Sequence, residues 1–340
     1  MGKSEFYHIS PSGKILKLDN IESAVTSLSE DGYIWLNYNK ASKEDLSELM
    51  TPFGIHPLSI EDCTDENQVP KMDEFPGYSF IVFNALRYDS EDLMSDEVDI
   101  FIGAKFLVTV SGYSETTKFP IEGIRSAIER NISAVKRGPA WLMHVILDFI
   151  VDQMADAVDK AEAEIDLAEE AILESPSVFD PSRLTHLRRN LLALRKNLFH
   201  EREILIRISR NDCEFIPAKA TVHYRDVFDH LSNFLEMTES NRDNVTSLME
   251  LYASMLNNQM AHDSNQMNAT VRRLTFITTI FMPLTLVAGI FGMSEWTTMT
   301  GGAVNMKQSY MIFTAVIVII GVASFLFINW LERRDKKKFL

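Results

Sequence analysis

Two stretches near the carboxyl end of this 340-residue chain, Leu274 to Met293 and Tyr310 to Trp330, contain no Asp, Glu, Lys or Arg. A helix of about 20 apolar residues is what crossing the hydrocarbon of a bilayer requires, and helices buried in soluble cores are usually shorter. Arg272 and Arg273 precede the first run, and Arg333, Arg334, Lys336, Lys337 and Lys338 follow the second, whereas the segment between them has Lys307 as its one basic residue. Because Lys and Arg collect on the cytoplasmic side, the pattern predicts a two-span protein of the cell (inner) membrane with both termini cytoplasmic. The competing reading is a helical hairpin inside a soluble core.

What precedes the first run is as constraining. From Ala218 to Met282 there is neither Gly nor Pro, and apolar residues recur three and four apart (Val227, Leu231, Phe234, Leu235, then Leu248, Leu251, Tyr252, Met255). The simplest reading is one helix that continues unbroken into the first span; about 75 residues would reach roughly 110 Å. Such a rod, polar at "NNQMAHDSNQMNA" just before the bilayer, has to bury its stripe against copies of itself or against other helices. Two more long helices are expected, from Pro139 to Glu174 and from Pro181 to Ser209, each with Pro at or near its start.

Up to about Pro120 the runs "GKILKL", "YIWLNY", "YSFIVFNALRY", "VDIFIG" and "KFLVTVSG" are rich in strand-forming residues and bounded by turn formers. The fold class is therefore an α+β membrane protein with an N-terminal α/β cytoplasmic domain and a long helical stalk continuous with the first of two transmembrane helices. The expected divisions are 1–138 (α/β domain), 139–272 (stalk), 273–293 (first span), 294–309 (extracytoplasmic loop), 310–330 (second span) and 331–340 (basic cytoplasmic tail).

With 48 acidic against 33 basic side chains and a formal charge of -15, the chain is a poor match for nucleic acid and suits a surface that faces cations. Cys63 and Cys213 are its two cysteines, too few for a disulfide framework. It contains no nucleophile elbow, P-loop, Gly-rich dinucleotide turn or HExxH, and "FHEREI" around His200 lacks a second His one turn on. No enzyme, catalytic residue or catalytic cofactor is expected. The acidic stretch Asp156 to Glu174 sets like charges three and four apart, either as a solvated face or as a surface that gathers cations.

One side of the first span is small, hydroxylic or flexible. Alternate steps of three and four from Gly292 give Gly289, Thr285, Met282, Thr278, Thr275, Val271 and Asn268. The opposite side, Leu274, Ile277, Phe281, Leu284, Ala288 and Phe291, is apolar and can meet lipid or the second span. Periodicity alone leaves two readings of the small side open, close helix packing and the lining of a pore. A pore would need an oligomer, since two spans cannot enclose water. Its wall would hold neither carboxylate nor imidazole, so it would handle a hydrated ion, and Met282 could narrow and dry it.

The stretch Arg273 to Ser294, "RLTFITTIFMPLTLVAGIFGMS", resembles the first transmembrane helix of the CorA family of magnesium and cobalt channels, which ends in Gly-Met-Asn. "IHPLSIEDCTDENQVPKMDEFPGYSFIVFNALRYD" (Ile55 to Asp89) and "RLTHLRRNLLALRKNLFHER" resemble further segments of that family, as does the basic tail. The resemblance implies a homopentamer in the lipid bilayer that passes hydrated Mg²⁺, with Co²⁺ or Ni²⁺ as passengers, and is gated by intracellular divalent cation. It places Asn268, Thr278, Met282, Thr285 and Gly289 at pore-facing positions and Gly292-Met293-Ser294 at the selectivity corner. Ser294 stands where the family has Asn. Glu295 would add an outer carboxylate ring, and Asp89 matches a carboxylate that senses Mg²⁺, with Asp263, near Asn257 and Asn258, as a candidate partner. Mg²⁺ is then both cargo and regulatory ion. Two alternatives keep the scaffold: a zinc transporter, with or without proton coupling, and a non-conducting membrane sensor or scaffold.

Overall fold

Branched and aromatic side chains pack well on a pleated surface, and seven segments rich in them form one sheet in the computed structural model, which describes residues 3–65, 68–89, 91–112, 121–292 and 306–336. The strands are β1 (Lys3–Ile9), β2 (Ile15–Leu18), β3 (Tyr33–Asn39), β4 (Lys71–Phe75), β5 (Tyr78–Asp89), β6 (Asp92–Gly103) and β7 (Phe106–Ser111), in the order β2-β1-β3-β7-β6-β5-β4. Neighbours run antiparallel except β3 and β7, which are parallel. Five strands lie where the sequence places them. β1 and β4, "KSEFYHI" and "KMDEF", are too charged to announce themselves. Pairing makes β4 a strand: Phe75 faces Tyr78 across the two-residue Pro76-Gly77 turn, in which Gly77 adopts φ 96°, the left-handed backbone a type II turn needs at its second central position.

Helices cover both faces of the sheet. Ile34, Leu36, Phe80, Val82, Phe101 and Val108 share a core with Ala24, Leu46, Phe53 and Ile60, which lie in the short helices α1 (Ile21–Ser27), α2 (Lys43–Ser47), α3 (Met50–Phe53) and α4 (Pro57–Asp62). The other face, with Tyr7, Trp35, Ile81, Phe83, Ile100 and Leu107, packs against α5 (Ile121–Arg130), α6 (Ile132–Val135), α7 (Pro139–Glu174), α8 (Ser182–Ser209) and the start of α9 (Ala218–Phe291).

Proline sets where the long helices begin. Pro139 occupies the first turn of α7, behind Gly138 at φ 144°, and in a first turn the missing N–H is harmless. Pro181 caps α8, and Asp180 Oδ1 accepts from the Ser182 N–H at 2.9 Å. α9 is 74 residues long and runs through Pro283. Its buried residues Tyr224, Val227, Leu231, Leu235, Thr238, Asn241, Val245 and Leu248 trace one stripe at helical spacing.

The chain divides into two compact units, Met1–Ala253 and Ser254–Leu340. In the first, Met154, Val158, Leu198, Leu205 and Val227 belong to the same core as the sheet, so the helices that follow residue 138 close that core. In the second, the rest of α9 and α10 (Met306–Lys336) carry both apolar stretches, with mean hydropathy 2.0 within α9 and 2.8 over Tyr310–Ile328. These stretches are 0% and 6% buried, the reverse of a hairpin in a soluble core. They are long and apolar enough to cross a membrane.

Candidate ion-path face and acidic hairpin

Within the second unit the half-buried residues of the first apolar stretch are Phe276, Thr279, Ile280, Pro283, Leu284, Val287 and Phe291. The ring of Phe291 meets that of Phe313 of α10 at 5.1 Å. Two members of the predicted apolar side, Leu284 and Phe291, therefore lie in the half-buried stripe, while Leu274, Ile277, Phe281 and Ala288 are exposed.

The small side is bare along its length. Asn268, Val271, Thr275, Thr278, Met282, Thr285, Gly289 and Gly292 are all exposed in the single chain, Met282 to 76%. A groove of about 920 Å³ runs past Thr278, Met282, Thr285 and Gly289. A Cβ added to Gly289 would meet nothing within 4 Å among the described residues, so packing against them does not require glycine there. Met293, Ser294 and Glu295 lie outside the described residues; Gly292, whose N–H donates to the Ala288 carbonyl at 3.0 Å, is the last described residue before them.

The hydroxyl groups of this side are oriented by the helix itself. Thr275 donates its proton to the Val271 carbonyl at 2.8 Å, Thr278 to Leu274 at 2.6 Å, and Thr285 to Phe281 at 2.8 Å. A hydroxyl has one proton and two lone pairs. With the proton turned inward, each threonine oxygen offers acceptor capacity outward, and the water of a hydrated cation presents hydrogens to its surroundings. Such oxygens can accept hydrogen bonds from water.

In the first unit Asp89 ends β5, next to the turn into β6. The Arg87 Nη1 lies 3.5 Å from Asp89 Oδ2, and its Nε lies 3.3 Å from Asp96 Oδ2. A cavity of about 450 Å³ beside it is lined by Tyr88, Asp89, Glu91, Lys160, Glu164 and Leu167. Sequence reasoning missed Glu91, Lys160 and Glu164; Glu164 is legible only as one member of the acidic run. Lys160 pairs with Asp156 at 2.7 Å and Arg183 with Glu164 at 3.8 Å, so cationic side chains offset part of the repulsion on α7. Burial and the carboxylates Glu164, Glu91 and Asp92 push the Tyr88 hydroxyl upward, against the Asn190 bond that lowers it. Asp263 belongs to the second unit, exposed, with Oδ1 3.8 Å from His262 Nδ1. Among the described residues no three His, Cys, Asp or Glu side chains converge to hold a metal ion.

A sheet domain that shares its core with long helices, and a helix that carries on into one of two bilayer-length apolar stretches, together have the layout of a two-span membrane protein. The family model described as CorA-like Mg²⁺ transporter protein matches residues 30–334, and the chain belongs to that family. Its members are metal-ion transporters rather than enzymes. YfjQ of Bacillus subtilis is 33% identical over 277 residues, 82% of this chain and 83% of YfjQ. The cobalt/magnesium transport protein CorA of Thermotoga maritima is 30% identical over 329 residues, 95% of this chain and 88% of the relative. The solved structure of the CorA magnesium transporter from Methanocaldococcus jannaschii superposes with a TM-score of 0.67 at 21% identity, covering 95% of this chain and 96% of that one. That likeness is one of fold.

Proposed function

We propose that this chain is one subunit of a homopentameric channel that carries hydrated Mg²⁺ into the cytoplasm, with Co²⁺ and Ni²⁺ as further substrates. The observation that carries the reading is the bare small side of the first span, whose threonine protons are bound by the helix and whose Gly289 has no packing reason among the described residues. Five copies would turn Asn268, Thr278, Met282, Thr285 and Gly289 toward one axis, with Gly292-Met293-Ser294 at the outer corner and Glu295 as the outer ring. Support for assembly comes from α9 between Asn257 and Thr275, where every residue is exposed in the single chain. A helix this bare needs partners.

Asp89 serves in this reading as an intracellular cation sensor, with Mg²⁺ as regulatory ion. The two termini are cytoplasmic, consistent with the basic residues that flank the spans.

Uptake by the purified protein in liposomes tests the proposal, with Mg²⁺, Co²⁺, Ni²⁺ and Zn²⁺ compared with and without a pH gradient. Passive Mg²⁺ entry that Ser294→Ala alters in rate or selectivity is the expected result. Zinc flux that requires a proton gradient would replace this reading with a coupled zinc transporter, and no flux of any ion would leave a membrane sensor.

A further inference from the structure

α7 and α8, both in the first unit, carry opposite charge on their outward sides. Between Asp156 and Glu174, α7 holds eight carboxylates and one Lys; between Ser182 and His200, α8 holds five Lys or Arg and no carboxylate. The buried sides of the two helices are apolar, Val158, Ala161, Ile165 and Ala168 on α7 and Leu187, Leu191, Leu194 and Leu198 on α8. Burying those stripes turns the charged residues of both helices toward solvent, and few of them meet. Lys160 pairs with Asp156, Arg183 with Glu164, and Arg195 with Glu239 of α9. Arg188, Arg189 and Lys196 form no ion pair among the described residues, and neither do Asp159, Glu162, Asp166 and Glu170.

The unpaired charges are arranged as matching stripes. On α8, Arg188, Arg189, Leu192, Lys196 and Phe199 are all exposed and fall on one side of the helix at steps of three and four. Leu192 is 47% and Phe199 40% exposed, and the Arg202 guanidinium lies 5.6 Å from the centre of the Phe199 ring. On α7, Asp159, Glu162, Asp166, Glu170 and Leu173 are exposed along one side in the same way. Arg189 and Lys196 are seven residues apart, as are Asp159 and Asp166, and each spacing is about 10.5 Å along a helix. Leu192 sits between those two cations and the exposed Ala163 between those two acids, so a large side chain meets a short one when the stripes are laid together.

We propose that the α8 stripe docks on the α7 stripe of a second copy of this chain. Neither stripe can pair with itself, because like charges facing one another repel, so the contact joins different faces of two copies. A contact of that kind closes into a ring or runs on as a filament. The proposal rests on the homopentamer reading, in which the ring closes after five copies. The apolar residues exclude water at the centre of the contact, and the charges around them set its register. Exposed charges are screened over about 10 Å at 0.1 M salt and about 3 Å at 1 M, so the contact weakens as salt is raised.

Cross-linking of the full chain in lipid nanodiscs tests this. One chain carries Leu192→Cys and a second, co-expressed and differently tagged, carries Ala163→Cys; Cys63 and Cys213 are buried and stay in place. A short bifunctional maleimide should give a linked species that contains both tags, and neither variant expressed alone should give a linked pair. Arg189→Glu with Lys196→Glu in the first chain should lower the yield at least about fivefold, and Asp159→Lys with Asp166→Lys in the second should restore it. Absence of the mixed species overturns the proposal, as does a yield unchanged by charge reversal. Linkage of Ala163→Cys to Lys338→Cys of the basic tail, in place of Leu192→Cys, also overturns it. Should the charge-reversed chains fail to fold, the mixed species and its decline between about 0.05 M and about 1 M salt decide. Native mass spectrometry of the same samples separates the two readings. Particles of five subunits without mixed linkage defeat this contact and leave the homopentamer, whereas single subunits throughout defeat both.

Discussion

The backbone N–H of Asn84 in β5 donates to Oε1 of Glu201 in α8 at 3.1 Å, across 117 positions of sequence. Glu201 is 0% exposed, its Oε2 has no hydrogen-bond partner among the described residues, and burial pushes its carboxyl well above the usual range. The acid is therefore held neutral. Its contribution to stability is complete below the unfolded carboxyl pKa of ~4.3 and is lost as pH rises toward the raised folded value. Glu201→Gln, neutral at every pH, should melt at a higher temperature than wild type at pH 8, by on the order of 1 kcal/mol, and the gap should shrink toward pH 4. Parallel melts at both pH values test the sign.

His144 of α7 has the opposite slope. Its ring lies 5.3 Å from that of His223 and 5.5 Å from Tyr224, and burial, followed by the charge of His223, brings its pKa down to about 4 against a partial rise from Asp226. The unfolded chain binds this proton more readily, so stability present above about pH 6.5 is lost as pH falls toward about 4. His144→Phe should therefore be less acid-labile. Discounted for partial exposure, about 1 kcal/mol is expected between pH 7 and pH 4.5; identical acid denaturation curves would contradict it.

Gly289 separates packing inside one chain from packing between chains. A Cβ there meets nothing within 4 Å among the described residues. Gly289→Ala should therefore leave the single subunit intact and raise helix stability by about 0.5–1 kcal/mol. Gly289→Leu should lower cation flux at least about tenfold without changing the melt of the first unit. Unaltered flux in liposomes would remove this position from the ion path.

Thr285 tests the role of the outward oxygen. Thr285→Val keeps the shape and deletes the acceptor, and the Phe281 carbonyl keeps its helical bond. Flux should drop several-fold in Thr285→Val and persist in Thr285→Ser. Equal flux in the two variants would show that the hydroxyl meets a neighbouring helix and not an ion.

Elements whose cause is local were legible. The gap in Gly and Pro before Pro283 marks α9, because nothing within it breaks the repeating hydrogen bond from each N–H to the carbonyl four residues back. Bilayer-length apolar runs mark the two spans, and the three-and-four spacing of Asn268 to Gly292 marks one helix side. β1 and β4 were not legible, since their strand character comes from pairing with Trp35 and Tyr78 on other strands. The cavity beside Asp89 was legible in one wall only, because Glu164 reaches it from α7.

What this sequence determined alone is the extent of its long helices and the buried stripe near the start of α9, since backbone hydrogen bonding and the tendency of apolar atoms to leave water act between residues three or four apart. Tertiary structure alone decided that α7 and α8 close the core of the sheet, that Glu201 lies buried against Asn84, and that Asn190 bonds the Tyr88 hydroxyl beside Asp89. Those contacts join residues roughly a hundred positions apart. Their energy depends on distances and burial that exist only once the chain has closed upon itself.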